Sequence, residues 1–208
     1  ARMFGYKQNE IIPYLYSGAF PYQGEPTNIS RRFVYIGRLL KSKGVDLLIE
    51  AHKQLTVSER KKFPLYIVGN GELRQYVEAQ REDCIVYQDW ATPEQVSNIL
   101  TAGGIGVMAS RKEQWGVAIH EYTQHGLPVL LSDICGAANE VCLSGFNGYT
   151  FKSDSLDDLI CKMRLFIGMS EESLMLMSRN SLQLSNQITP KKSAASLLSF
   201  SVGITPAL

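Results

Sequence analysis

The chain has 208 residues, of which 45% are hydrophobic and 20% charged, and its formal net charge at neutral pH is +1. This is the composition of an ordinary globular domain, and the nearly balanced charge argues against a nucleic-acid partner or an electrostatic membrane surface. No apolar run approaches the roughly 20 residues of a membrane-spanning helix, and no signal-like apolar core is present, so we expect a cytoplasmic protein.

Short apolar runs alternate with amphipathic segments along most of the chain. Residues 1–30 hold several prolines and glycines, and we interpret them as a lead-in segment with one short strand near residues 11–15. Compact apolar runs predict strands at 33–37, 65–69, 85–87, 105–109, 128–132 and 148–151. Helical periodicity predicts helices at 43–55, 71–81, 93–101, 116–125, 157–166, 170–186 and 193–200.

Regular alternation of strands and helices with short joins implies right-handed crossovers and a parallel sheet covered on both faces. The predicted fold class is therefore α/β, a doubly wound, Rossmann-like parallel sheet over residues 31–190, followed by a C-terminal helix and tail at 191–208. Ligands of such sheets bind beyond the carboxyl ends of the strands. The loops expected there follow residues 37, 69, 87, 110 and 132.

The four cysteines and three histidines show no metal-binding spacing, so no metal site is expected. Cys84 and Cys161 lie within apolar patterns and are predicted to be buried, whereas Cys135, beside a glycine, is predicted to be more exposed. For His120 we expect a surface or packing role rather than a catalytic one.

A basic loop follows the first strong strand. Gly37 would allow a sharp turn there, and Arg38 with Lys43 could clamp a diphosphate, one as a forked donor and the other as a point charge. The alternative is a solvated basic loop. The G-x-G-x-x-G fingerprint of dinucleotide-binding domains is absent.

Two further loops offer weaker signals. Gly69, Asn70 and Gly71 join a strand to a helix, either as a ligand-binding loop or as a tight turn with no other role. In the segment 87–90, Tyr87 or Trp90 could stack on a base, although packing against protein is the expectation.

The stretch from residue 110 to residue 133 carries the most functional information. Glu113 and Glu121 stand eight positions apart, one in a loop and the other in the predicted helix 116–125. The first free N–H groups of that helix, near Gly116 and Val117, lie between them and form an anion site. Side chains on a helix lean toward its N-terminus, so Glu121 points back at that anion. An anion flanked by carboxylates that bind hydroxyl groups is what a nucleotide sugar presents.

In order and spacing, these segments resemble the C-terminal, donor-binding domain of the GT-B glycosyltransferases of family 4, over about residues 33–168. The segments that carry the resemblance are Gly37-Arg38, 43–46, 68–74, 110–113, 115–117 with Glu121, 125–129, 139–141 and 145–148. The chain departs from the family at Gln114, where glycine is common, and at Asn139, where proline is common.

The resemblance implies one half of a GT-B fold and a retaining hexosyltransferase that needs no metal or other cofactor. Its donor would be a UDP- or GDP-sugar, and its acceptor a saccharide or lipid-linked saccharide of polysaccharide biosynthesis. The acceptor domain is expected outside this chain, in the same or another polypeptide, and would make any contact with the inner face of the membrane.

The resemblance also assigns roles to residues. Arg38 and Lys43 would hold the diphosphate, Glu113 would contact the transferred sugar, and Glu121 the ribose. The catalytic residues would be Glu113, Arg38 and Lys43, and the nucleotide-sugar-binding residues Gly37, Gly69, Asn70, Trp90, Gly116, Val117 and Glu121. Two alternatives are a noncatalytic nucleotide-sugar-binding subunit of a split glycosyltransferase and a dehydrogenase-like or regulatory Rossmann-like domain. The missing fingerprint argues against the latter.

Overall fold

The computed structural model describes Gly24 and residues 29–201, so the strand predicted near residues 11–15 lies outside the described residues. Within this part of the chain the strands are β1 (Phe33–Ile36), β2 (Leu65–Val68), β3 (Ile85–Gln88), β4 (Ile105–Met108), β5 (Val129–Ser132) and β6 (Gly148–Phe151). The helices are α1 (Val45–Lys53), α2 (Val57–Lys62), α3 (Arg74–Ala79), α4 (Pro93–Thr101), α5 (Val117–Gln124), α6 (Ala138–Val141), α7 (Leu156–Gly168), α8 (Glu171–Ser185) and α9 (Pro190–Ser201). None of them, within the described ranges, combines the length and apolar character needed to cross a bilayer.

The six strands form one parallel sheet in the order β3-β2-β1-β4-β5-β6. This is the Rossmann order, and it confirms the predicted fold class. The chain moves outward from β1 to β3 and then returns to the other side of β1 with β4. The reversal creates a topological switch point at the carboxyl ends of β1 and β4, where ligands of such sheets bind.

Both faces of the sheet are buried because successive strand residues point to opposite sides. Phe33 and Tyr35 belong to the core on the side of α1 and α7, while Val34 and Ile36 belong to the core on the side of α4, α5 and α6. A strand buried on both faces reads as an unbroken apolar run, which is why the runs in the sequence predict these strands well.

Tyr122 of α5 lies where β1 and β4 separate. The two strands pair only as far as Val34, opposite Gly106. Beyond that point the Tyr122 hydroxyl, rather than β4, forms hydrogen bonds with the backbone of β1. It accepts a hydrogen bond from the Ile36 N–H (2.8 Å) and faces the Ile36 carbonyl (3.4 Å). A Cβ at Gly106 would lie 2.5 Å from the Tyr122 ring, so glycine makes room for the ring. The Tyr122 side chain thus lies between the carboxyl ends of β1 and β4, at the switch point.

Helix boundaries differ from prediction near α1 and α2. Helix α1 begins at Val45 rather than at residue 43, because residues 41–43 form a 3-10 turn that ends at Gly44, whose φ of 67° is left-handed. The predicted helices include neither α6 nor α2, although Thr56 and Glu59 form a capping box at the start of α2. The Thr-x-x-Glu spacing is the signal for this helix.

The cysteine predictions are wrong for two of the three residues. Cys135 is buried (1% exposed) and Cys161 is exposed, while Cys84 is only half-buried. Cys161 is not among the buried residues of α7; its apolar neighbours in the helix face the core, whereas its own side chain faces away from it. Cys135 is covered because the next residue, Gly136, packs tightly against another loop: a Cβ there would lie 1.9 Å from the Gln114 carbonyl oxygen.

Candidate functional site

Two loops meet at the switch point: the basic loop, residues 37–44 after β1, and the loop that carries Glu113, residues 109–116 after β4. Lys43 Nζ lies 2.5 Å from Glu113 Oε2, and the two side chains are 25% and 12% exposed. The structure thus joins two of the predicted catalytic residues, 70 positions apart in the chain, as one ion pair.

Close backbone contacts between the two loops support the ion pair. The Ser42 carbonyl accepts hydrogen bonds from the N–H groups of Arg111 (2.9 Å) and Lys112 (3.1 Å). A Cβ at Gly44 would lie 1.9 Å from the Ala109 carbonyl oxygen, so only glycine fits there. The relative position of the two loops is therefore set by backbone packing as well as by charge.

Arg111, in the loop after β4, pairs with Asp46, in the first turn of α1 directly after the basic loop, and neither residue is among the predicted site residues. The Arg111 guanidinium donates to Asp46 Oδ1 (2.7 Å) and Oδ2 (3.2 Å), and also to Asp154 Oδ1 (2.5 Å). Burial alone would raise the pKa of Asp46, but hydrogen bonds from Arg111 and Lys41 outweigh it and lower the pKa. Neither local sequence signals this pairing, because the two residues are 65 positions apart and meet only through the order of β1 and β4 in the sheet.

The first turn of α5 opens beside the ion pair. Gly116 caps the helix with a left-handed φ of 99°, and its carbonyl accepts from the Ile119 N–H (2.9 Å). The N–H groups of Val117 and Ala118 precede that bond, at the positive end of the helix dipole. The side chain of Glu113 lies across this turn, with Cγ 3.4 Å from where a Gly116 Cβ would stand. The Lys43 ammonium group, the Glu113 carboxylate and the N–H groups of the first turn of α5 therefore lie together at the switch point.

A cavity of about 360 Å³ lies between α4, α5 and the end of β1. Its lining residues are Ile36, Trp90, Ala91, Pro93, Val96, Ser97, Leu100, Glu121 and His125. Trp90 stands at its rim and is 68% exposed. The half-buried Glu121 carboxylate makes no hydrogen bond or ion pair with any residue that the structure describes, and burial raises its pKa. A partly desolvated carboxylate without a partner favours a hydrogen-bond donor from a ligand.

Arg38 is exposed, and within residues 29–201 its guanidinium makes no hydrogen bond or ion pair. Its carbonyl accepts a hydrogen bond from the Tyr35 hydroxyl (2.7 Å). The basic loop is therefore anchored to the core through its backbone, which leaves the Arg38 side chain available to an anion.

The loop after β2 supports the basic loop from its other side. A Cβ at Gly69, whose φ is 147°, would lie 1.8 Å from the Gly37 carbonyl oxygen. Leu39 donates to the Asn70 carbonyl (2.9 Å) and accepts from the Leu73 N–H (2.9 Å). These contacts favour the tight-turn interpretation of the glycines, and direct ligand contact by Gly37 and Gly69 stays a prediction.

The Asn70 side chain reaches the loop after β3. Its Nδ2 donates to Asp89 Oδ1 (2.7 Å), which also accepts from the Trp90 N–H (2.8 Å). Arg74 completes the link through Asp89 Oδ2 (2.9 Å). Asn70 thus acts in this structure by holding the loop that carries Trp90.

His120 packs inside the domain, which confirms the expected packing role. It is 1% exposed, its Nε2 accepts from Trp115 Nε1 (3.0 Å), and the two rings stack. Burial lowers the pKa of His120 to about 4, so the ring is neutral at physiological pH. Among the described residues no group of three or more His, Cys, Asp and Glu side chains could hold a metal ion.

Residues 24–182 match the protein family described as glycosyl transferases group 1. An uncharacterized 41.2 kDa protein in the cps region of Klebsiella pneumoniae is 27% identical over 126 residues, and an uncharacterized glycosyltransferase of Methanocaldococcus jannaschii is 25% identical over 123. These matches cover 61% and 57% of this chain but 33% and 31% of the relatives. The chain spans about a third of the length of the curated relatives it matches.

Solved structures share the fold. HepE of Anabaena, solved in complex with UDP-glucose, matches with a TM-score of 0.70 and 18% identity, over 83% of this chain and 49% of HepE. The pneumococcal O-GlcNAc transferase GtfA, solved in complex with UDP and GlcNAc, matches with a TM-score of 0.68 and 23% identity, over 92% of this chain and 38% of GtfA. The family match over most of the sequence and the shared Rossmann-like topology lead to one conclusion: the chain is a GT-B domain that belongs to the glycosyl transferases group 1 family.

Proposed function

We propose that this chain is the donor-binding half of a retaining hexosyltransferase that holds a UDP- or GDP-sugar in the crevice between β1 and β4. The observation that carries the proposal is the Lys43–Glu113 ion pair over the first turn of α5, at the switch point of the sheet. It places a cation, a carboxylate and helix-end amides together, as the charges and hydroxyl groups of a nucleotide sugar require.

The diphosphate would bind between the basic loop and α5. Lys43 and Arg38 supply two positive charges, and the N–H groups of Val117 and Ala118 supply hydrogen-bond donors at the positive end of the helix dipole. Lys43 would exchange its bond to Glu113 for one to phosphate. Cationic side chains and amides would do the work for which other enzymes use a metal, so the proposal requires no cofactor.

The nucleoside would occupy the cavity beside Glu121. The Glu121 carboxylate would accept hydrogen bonds from ribose hydroxyl groups, which would supply a partner that the described residues do not. Trp90, exposed at the rim, would cover the base. Asn70 would act through Asp89, which fixes the position of the Trp90 loop.

The chemical step would depend on charge placed before the reaction. As the bond between sugar and diphosphate breaks, negative charge grows on the departing phosphate, and donors already aimed at it stabilise the transition state more than the ground state. Glu113, released from Lys43, would hold hydroxyl groups of the transferred sugar and orient it toward the acceptor.

The acceptor, a saccharide or lipid-linked saccharide, would be bound by a further domain in the same or another polypeptide. The partial coverage of the relatives supports this arrangement. We place the enzyme in the cytoplasm, in polysaccharide biosynthesis, with any membrane contact made through the acceptor domain. The UDP and UDP-sugar complexes of HepE and GtfA support the donor class.

Calorimetric titration of the chain with UDP, GDP, ADP and NAD tests the proposal. We expect UDP or GDP to bind, and the corresponding sugar nucleotide to bind at the same site in competition. Binding of NAD without binding of UDP or GDP would contradict the proposal.

A further inference from the structure

Ser97, in the cavity wall, is a residue to which the assignments above give no role. It lies on α4, is half-buried, and its Oγ is 3.1 Å from His125 Nε2. His125 lines the same cavity at the C-terminal end of α5, and its Nδ1 lies 2.8 Å from the Glu121 carbonyl oxygen. The Glu121 carbonyl, the His125 imidazole and the Ser97 hydroxyl thus form a chain of hydrogen bonds at the cavity wall.

The link determines which way the Ser97 hydroxyl points. A backbone carbonyl can only accept a hydrogen bond, so His125 Nδ1 carries the proton. Burial lowers the pKa of His125, and the neutral ring therefore has a lone pair on Nε2. Nε2 must accept from Ser97, which commits the hydroxyl hydrogen to His125 and leaves only oxygen lone pairs for a ligand.

The other side chains around Ser97 are largely apolar. The apolar residues that line the cavity are Ile36, Ala91, Pro93, Val96 and Leu100. The carboxylate in its wall belongs to Glu121, whose proposed partner is the ribose. One neutral acceptor in an apolar wall matches a base that presents a single N–H. Uracil has one, at N3, whereas guanine has N–H groups at N1 and N2, and adenine has two on its N6 amino group. An unmatched N–H in such a wall would lose its hydrogen bonds to water without replacement.

We propose that Ser97, oriented by His125, accepts a hydrogen bond from the N3–H of uracil and thereby selects a UDP-sugar as the donor. This inference rests on the proposed function, since it assumes that the cavity holds the base of a nucleotide sugar. Ser97 is the contact residue, and His125 is a positioning residue that acts through it.

The probes are UDP, GDP and 3-methyluridine 5′-diphosphate, in which a methyl group replaces the hydrogen on N3 of UDP. By calorimetry, wild-type protein should bind UDP about tenfold or more tighter than either of the others. Ser97→Ala should weaken UDP binding about five- to tenfold and remove most of the preference over the methylated analogue. Asn98→Ala, exposed on the same helix, is the matched control and should keep the wild-type affinities.

His125 is tested by two substitutions that divide its functions. His125→Asn keeps a donor near the position of Nδ1 but offers Ser97 no acceptor, so it should lose the preference for UDP over the methylated analogue. His125→Gln places an amide oxygen near the position of Nε2 and should restore part of that preference. A purely structural role for His125 would make the two variants lose affinity for both probes equally, which would overturn its assignment as a positioning residue.

The outcomes separate this inference from the proposed function. If wild-type protein binds UDP and its methylated analogue equally, or prefers GDP, the role of Ser97 is wrong while the nucleotide-sugar site stands. Unchanged preference in Ser97→Ala would have the same meaning. If wild-type protein binds neither UDP nor GDP, the proposed function fails and this inference fails with it.

Discussion

The ammonium group of Lys43 and the carboxylate of Glu113 neutralise each other across the switch point, with Nζ 2.5 Å from Oε2. A charged ligand that enters the crevice therefore meets a pair that is already matched, and it must exchange one contact for another. A phosphate would take the ammonium group, and a sugar hydroxyl would take the carboxylate. The net charge that the pair offers to a ligand is close to zero until it separates.

Lys43→Ala should weaken UDP binding by roughly 1–3 kcal/mol, because it removes a charge-assisted hydrogen bond and leaves Glu113 unpaired near the phosphates. Titration calorimetry measures the change. Lys41→Ala is the matched control, since Lys41 belongs to the same 3-10 turn but pairs with Asp46 and is 68% exposed. Wild-type affinity in the Lys43 variant would place the diphosphate elsewhere.

Glu113→Ala should lower the affinity for the sugar-bearing donor but not the affinity for free UDP. The substitution frees Lys43 for phosphate, so the affinity for UDP should be retained, whereas the affinity for UDP-glucose should fall by about 1–2 kcal/mol with the loss of hydroxyl contacts. Competition between the two ligands in one calorimetric series gives the difference directly. Equal losses for UDP and UDP-glucose would contradict the role assigned to Glu113.

Glu121→Gln should raise stability and lower nucleotide affinity in the same protein. Burial raises the pKa of this carboxyl above its ordinary value of 4.5, so ionisation in the folded state carries a cost at neutral pH that is absent below pH 4.5. The variant should therefore have a higher free energy of unfolding in urea at pH 7, and the gain should fade as the pH falls from the raised folded-state pKa to 4.5. UDP binding at pH 7 should weaken by roughly 1–3 kcal/mol. A variant less stable than wild type at pH 7 would show that Glu121 has a favourable partner in the folded protein.

Asp46→Asn should break the clamp with Arg111. The pKa of Asp46 lies below its ordinary value of 3.8, so its charge stabilises the fold above that pH and ceases to do so as the pH falls through the folded-state pKa. We expect the variant to lose about 1–3 kcal/mol of unfolding free energy at pH 7, with the difference from wild type shrinking below pH 3.8. Asp83→Asn, an exposed control, should match wild type throughout. A loss independent of pH would rule out the charge as the source of the stabilisation.

Gly69→Ala should separate the basic loop from the loop after β2. The added Cβ would lie 1.8 Å from the Gly37 carbonyl oxygen at a φ of 147°, so the backbone must move. Thermal unfolding should show a loss of about 1–3 kcal/mol, and nucleotide affinity should fall with it because Arg38 is displaced. Gly168→Ala, where nothing lies within 4 Å, is the control and should be neutral. Full stability in the Gly69 variant would contradict the packing role.

Much of the fold follows from local patterns. The run at residues 33–36 is unbroken because both faces of β1 are buried, and the Thr-Pro-Glu start of α4 carries its own capping chemistry. The parallel arrangement then brings every loop after a strand to one edge, so Lys43 and Glu113 could be assigned to one site without coordinates. That the two loops are neighbours at this edge depends on the strand order, which places β1 beside β4.

The tertiary structure alone decided which atoms meet. Arg111 and Asp46 are 65 positions apart, and Ser97 and His125 are 28 apart, with nothing in either local sequence to pair them. Cys135 is buried because a distant loop covers it. Among residues 29–201 the Glu121 carboxylate has no hydrogen-bond or ion-pair partner, which only the packing around it reveals. Periodicity records which side of a strand or helix a residue faces. Pairing between distant segments depends on how those elements pack, and packing is a property of the whole core.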